Sequence, residues 1–256
     1  MVLHGGPAVQ HEYLRPEFDA LQNVATVIYY DQRGCGKSES ADIYEWQKHV
    51  KDLDRLIKQL SNKQQVFLAG SSWGSLLAIL YAYSHPENIK GVILSGTVIW
   101  KGTDMSKNKY RASYTKSIEY FRKNKPDLVP MLLEEQKIVS YEDSLNNIVQ
   151  DTLDINKEVQ WLRGQPSIIT LKSMVTAPYF SSLKNITLPI LIFDGTRKVC
   201  GNIDWGHRYA DIFPNAELFT INGACHDPWF SDPEKFFNKS IAFIEANSQT
   251  EAIINH

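Results

Sequence analysis

Gln65-Val66-Phe67-Leu68-Ala69-Gly70-Ser71-Ser72-Trp73-Gly74-Ser75 is the stretch on which the fold turns. Gln65 to Ala69 predicts a strand, and Ser75 to Ser84 predicts a largely apolar helix that stops before Pro86, because a proline disfavours helical backbone in the residue before it. Between them, Gly70-Ser71-Ser72-Trp73-Gly74 has room only for a sharp turn. A serine at the apex of such a turn is pushed out toward solvent, and the glycines on either side let strand and helix crowd together. The helix N-terminus also places partial positive charge where an oxyanion would form. A GxSxG string alone is also an ordinary Gly/Ser loop; the elements on both sides favour Ser72 as a nucleophile.

Upstream, His4-Gly5-Gly6-Pro7 follows a stub of strand, Val2-Leu3. A glycine pair there lets the backbone approach a substrate and offers an N–H to a developing negative charge. Gly6 and the Trp73 amide, directly after the serine, are the candidate oxyanion donors. Downstream, His226 lies in Asn222-Gly223-Ala224-Cys225-His226-Asp227, just after a predicted strand, Glu217 to Ile221, and before a closing helix, Pro233 to Ala246. Serine first and histidine last is the chain order of one large group of hydrolases, which makes His226 the candidate base. The other histidines, His4 included, are expected to be structural. Gly34-Cys35-Gly36-Lys37-Ser38 imitates a phosphate-binding loop, but Asp31 stands where that motif needs its first glycine. Asp31-Gln32-Arg33-Gly34 is read instead as a turn whose charged groups pin the loops near the site.

Short strand-like runs alternate with helical patterns, the signature of a mostly parallel sheet covered by helices. Ala25 to Tyr30 is expected to be a buried strand, and Glu45 to Leu60 an amphipathic helix with Val50, Leu53, Leu56, Ile57 and Leu60 on one face. Gly91 to Ser95 and Pro189 to Asp194 are further expected strands. Residues 101 to 185 break the rhythm: they are helix-rich and carry Tyr110, Tyr114, Tyr120, Trp161 and Tyr179, as expected of an inserted lid. The expected organisation is therefore a core over 1–100, a helical lid over 101–185, and the second part of the core over 186–256.

Charged residues make up 22% of the 256, with a formal charge of -2 and no basic stripe, which argues against a nucleic-acid partner. Cys35, Cys200 and Cys225 form no CxxC or metal-ligand spacing, and three sparse cysteines suit a reducing compartment. No apolar run is long enough to span a bilayer, and no signal-peptide pattern is visible, so the expected location is the cytoplasm without a membrane partner. The sequons at Asn185 and Asn238 carry little meaning in that setting.

Taken together, HGGP, DQRGCGKS, GSSWGS and GACHDPW resemble the prolyl aminopeptidase (proline iminopeptidase) family of the α/β-hydrolase superfamily. The resemblance spans residues 1 to 100 and 186 to 246 and leaves the lid unmatched. It implies an α/β-hydrolase fold, Ser72 as nucleophile, His226 as base, Gly6 and Trp73 as oxyanion donors, and no metal or organic cofactor. The implied reaction removes an N-terminal residue, often proline, from small peptides through an acyl-enzyme; related members cleave other amides or esters. Three departures stand out. Ala8 replaces the usual glycine after HGGP, and the usual first strands before HGGP are absent from this sequence, as expected either of a chain cut short or of a sheet lacking its first hairpin. The position of the triad acid, separated from Gly195 by two residues, holds Lys198. Either Asp194, Asp204 or Asp227 serves as a surrogate acid, with Asp194 the first candidate, or the triad is impaired. A binder that keeps the pocket without efficient catalysis and a general carboxylesterase are the alternatives. Glu134 and Glu135 in the lid are possible partners for a substrate ammonium, or simply a solvated helix face.

Overall fold

Side chains alternate along each central strand between two hydrophobic layers, so the sheet is covered on both faces. The computed structural model describes residues 1–7, 9–97, 169–170, 173–196, 205–224 and 226–248. Among these, five parallel strands lie side by side in chain order: β1 (Val2–Leu3), β2 (Val66–Ser71), β3 (Ile89–Ser95), β4 (Ile190–Gly195) and β5 (Ala216–Ile221). Leu3, Leu68, Val92, Leu94, Ile190 and Ile192 face one layer, with helices α1 (Trp46–Leu60), α2 (Trp73–Ser84) and α3 (Trp205–Ile212). Val2, Ala69, Ile93, Leu191 and Phe193 face the other, with the short helix α4 (Pro228–Ser231) and α5 (Pro233–Ser248). In that second layer Phe18, Phe193, Phe236 and Trp229 are almost fully buried and meet largely edge to face.

α2 is the central helix. Every residue from Trp73 to Ala82 is buried, as expected of a helix that is apolar all round. α1 is amphipathic, burying His49, Val50, Leu53 and Ile57. Leu60, expected on that buried face, is instead exposed in the last turn. Ala25 to Tyr30 also departs from expectation: it is not a buried strand but a partly exposed stretch held by a single bridge, Val2 to Tyr29, and by Val2 N–H donating to Ile28 O at 2.9 Å. The physical reason is its neighbour. β1 is two residues long and can offer only a short ladder.

Of the stretch read as a lid, residues 101–168 and 171–172, with Tyr110, Tyr114, Tyr120, Glu134, Glu135 and Trp161, lie outside the described residues, as do residues 98–100. Its C-terminal part does not stand apart from the core: Met174, Ala177 and Leu183 are buried in the α1–α2 layer. Trp46 N–H, at the start of α1, donates to Ser173 Oγ at 2.8 Å. No helix among the described residues is long and apolar enough to cross a membrane.

Candidate active site

The C-terminal ends of β1, β2, β3 and β5 bring the sequence-selected residues to one rim of the sheet, the place where open parallel sheets bind ligands. At the end of β2, Ser72 has φ 54° and ψ -120°, a backbone conformation rarely adopted by a residue with a Cβ. Two glycines make it possible. A Cβ on Gly70 would lie 2.6 Å from the Ser75 nitrogen, and one on Gly74 would strike the carbonyls of Leu3 and His4. Strand, helix and the end of β1 therefore meet backbone to backbone around the serine. Ser75 Oγ lies 2.8 Å from both Gly70 O and Ser95 O, and Ser72 N–H donates to Ser95 O at 2.9 Å, so the turn is fastened to β3.

The loop after β1 lies directly over this turn, and a Cβ on Gly5 would sit 3.1 Å from that of Ser72. Gly5 N–H donates to the Tyr13 hydroxyl at 2.8 Å, and Gly5 O is 2.8 Å from His4 Nδ1. Gly6, at φ 111°, is the next residue, and nothing among the described residues accepts from its N–H. The Trp73 amide is the first of α2 and has no carbonyl one turn back within the helix. Both amides named from the sequence thus flank Ser72 with their donors uncommitted to the scaffold.

His4 is completely buried, and desolvation pushes its pKa down to about 4. Its Nδ1 faces a carbonyl and its Nε2 accepts from Gln32 N–H at 2.9 Å, which sets the neutral tautomer with the proton on Nδ1. His49, edge-on to Trp73, is likewise driven down to about 3 by burial. The DQRG turn pins its surroundings through its charged groups. Burial alone would raise the Asp31 carboxyl, but hydrogen bonds from Lys37 N–H, His11 N–H and the His11 ring hold it below the usual carboxylate range. Arg33 reaches Asp52 at 2.7 Å and the Ile43 carbonyl at 2.6 Å. The loop that imitates a phosphate site therefore spends its Lys37 amide on the protein's own carboxylate.

His226 follows β5 and packs against Gly96, the residue after β3. The place a Cβ on Gly96 would fill lies 3.2 Å from Cε1 and 3.3 Å from Nε2 of the ring. Gly96, at φ 57°, is therefore a seat for the imidazole, beside the Ser95 carbonyl that holds Ser72. The next residue, Asp227, accepts from Ser71 Oγ at 3.2 Å. Lys198 and Asp204 lie outside the described residues. Asp194 accepts from Gly195 N–H at 2.8 Å and Gly206 N–H at 3.1 Å, and its Oδ2 is 3.9 Å from His207 Nδ1. It closes the connection between β4 and α3. Among the described residues no three His, Cys, Asp or Glu side chains converge as metal ligands.

Sequence reasoning passed over Gln32, Tyr13, Ser75 and Gly96. Only Gln32 and Ser75 lay within strings already singled out, and a buried role for their uncharged side chains has no periodic signature.

A parallel sheet with helices on both faces, a serine at a strained strand-to-helix turn and a histidine after the last strand define an α/β hydrolase. The comparisons agree: a thermophilic esterase from Thermogutta terrifontis superposes with a TM-score of 0.68 at 19% identity, covering 96% of this chain and 89% of that one. The chain belongs to the family described as serine aminopeptidase, S33, whose model matches residues 2–234. It is similar to a proline iminopeptidase of Lactobacillus delbrueckii subsp. bulgaricus, 28% identical over 92% of this chain and 86% of that protein. It is also 39% identical to a proline iminopeptidase of Thermoplasma volcanium over 38% of this chain and 33% of that protein. It is a prolyl aminopeptidase-like α/β hydrolase.

Proposed function

We propose that the protein is a serine hydrolase that works through an acyl-enzyme on N-terminal residues of small peptides, or on related amides and esters. One observation carries the reading: Ser72, in its strained turn, and the His226 ring are both held against the same Ser95-Gly96 corner. In this reading Ser72 Oγ attacks the carbonyl carbon while His226 takes its proton and later returns it to the leaving amine or alcohol. The Gly6 and Trp73 amides receive the oxyanion, aided by the N-terminus of α2. Water then repeats the sequence to release the acid.

The test is labelling with a fluorophosphonate. One equivalent per chain at Ser72 is expected; a silent wild type would favour the binder that keeps the pocket alone. The aminopeptidase part has its own test. Prolyl and alanyl anilides with a free amine should be hydrolysed and their N-acetyl forms should not, because acetylation removes the ammonium that a desolvated pocket would pair. Equal rates on both would point to a general carboxylesterase.

In the same reading Lys198 takes the position of the triad acid and impairs the reaction. The hydrogen bonds that Asp194 accepts from Gly195 and Gly206, and Asp227 from Ser71, favour this over a surrogate role for either of those two carboxylates.

A further inference from the structure

We infer that Gln32 is a positioning residue that holds the two halves of the oxyanion site in register, an inference that rests on the serine hydrolase reading. Gln32 is 1% exposed, and three of its polar groups go to the two segments that supply the donors. Its backbone N–H donates to His4 Nε2 at 2.9 Å, and its side-chain Nε2 donates to the His4 carbonyl at 2.9 Å. Its Oε1 accepts from the indole Nε1 of Trp73 at 2.7 Å. One amide side chain thus bridges the loop after β1 and the first residue of α2, segments 69 residues apart.

The consequences are geometric. The peptide from His4 to Gly5 has every polar group engaged: the His4 carbonyl by Gln32, the Gly5 N–H by Tyr13 and the Gly5 carbonyl by the His4 ring. That leaves the direction of the following Gly6 amide little freedom, although glycine at φ 111° would otherwise turn readily. Trp73 carries its donor on the backbone and its restraint on the side chain, at one Cα, so fixing the indole fixes the orientation of the amide. His4 can accept from Gln32 only when Nε2 is unprotonated, and its burial keeps it so. The bonds lie in a buried environment where each is stronger than in water and none can be replaced by solvent without opening the site. Two oxyanion donors act together only if both aim at one point, and an error of an ångström is enough to lose much of their effect.

The experiment follows the rate and the endpoint of fluorophosphonate labelling, together with kcat and KM on the wild type's best anilide or ester. The phosphonyl oxygen needs the same two donors as the oxyanion, so the rate reports their alignment, and the endpoint counts folded, competent sites. Gln32→Met keeps the length of the side chain and removes its amide. The expected result is labelling slowed by about 10- to 100-fold with one equivalent still reached, kcat lowered by a similar factor per labelled site, and KM changed by less than about threefold. A purely structural brace would lower the endpoint and leave the rate per site untouched, which would overturn the inference, as would wild-type rates throughout. Should Gln32→Met fail to fold, Trp73→Phe removes the indole N–H together with part of the ring; about tenfold slower labelling at full endpoint is expected, and an unchanged rate refutes the role. A wild type that does not label at all removes the serine hydrolase reading first and this inference with it, an outcome distinct from a labelling wild type whose variants match it.

Discussion

In the proposed reading, the oxyanion side of the site and the histidine side are built in different ways. On the oxyanion side, His4, Gln32, Tyr13 and Trp73 form a buried, directional network. On the histidine side, His226 is held by contact with Gly96, with Asp227 tied to Ser71 next door, and among the described residues no carboxylate pairs with its ring. Preorganised dipoles must point correctly before the reaction begins, and a rigid network suits that. A base that shuttles a proton needs instead a partner for the charge it gains, and in the proposed reading Lys198 takes the acid's position there. The first side should therefore be damaged by nearly any change, while the second should have room for improvement.

The largest expected effect is at the serine between the two sides. Ser72→Ala should reduce turnover to background and abolish fluorophosphonate labelling, checked by gel fluorescence and intact mass. Labelling that persisted elsewhere would dissolve the comparison altogether. Next comes Lys198→Asp, expected to raise turnover by about 10²- to 10⁴-fold by giving the imidazolium a counter-charge. Asp194→Asn in the starting protein should leave kcat nearly unchanged, since that carboxylate serves the β4–α3 connection. The opposite pattern, a neutral Lys198→Asp and an essential Asp194, would mean that the histidine side is already complete.

Gly96→Ala sharpens the same question by displacing the imidazole, and Gly223→Ala is its control. Both glycines have positive φ, but a Cβ on Gly96 meets His226, whereas one on Gly223 meets nothing within 4 Å. Each should lose about 1 kcal/mol of stability to backbone strain, and Gly96→Ala more than that, because its Cβ would also strike the His226 carbonyl. Only Gly96→Ala should also cut kcat, by about 10- to 100-fold, because the imidazole is moved from its place. Equal activities in the two variants would show that the Gly96 seat is irrelevant.

The smallest effect per step is with pH. His4 and His49, held near 4 and 3 by burial, are neutral in the folded protein and take up a proton more readily when unfolded. Their contribution is therefore complete above the ordinary value of 6.5 and is lost as pH falls from there toward 4 and then 3, by up to about 1.4 kcal/mol per unit for each histidine. Asp31 acts in the same direction, since its lowered pKa adds stability that disappears on acidification. Thermal melts between pH 7.5 and 4.5 should show a steady fall. A flat profile would mean that the oxyanion network tolerates a charged His4 and is looser than its hydrogen bonds indicate.

Much of the fold was legible in the chain because its signals are local. An apolar run bounded by Gly70 and Gly74, an all-apolar helix and a parallel sheet buried on both sides each leave a short-range pattern, and β2, α2, β3, β4 and β5 fall within a few residues of expectation. Ala25 to Tyr30 failed for the opposite reason: its composition is that of a strand, but strand formation depends on a neighbour, and the two-residue β1 supplies little. The same division runs through the site. The sequence by itself determined that Ser72 and His226 stand at a turn and after a strand, because turn chemistry and chain order are properties of neighbours in sequence. Only the tertiary structure decided that an uncharged side chain, Gln32, links residues 4 and 73, and that Asp194 caps the amides of Gly195 and Gly206. A hydrogen bond between distant segments depends on where the backbone carries its partners, and neither composition nor periodicity encodes that distance.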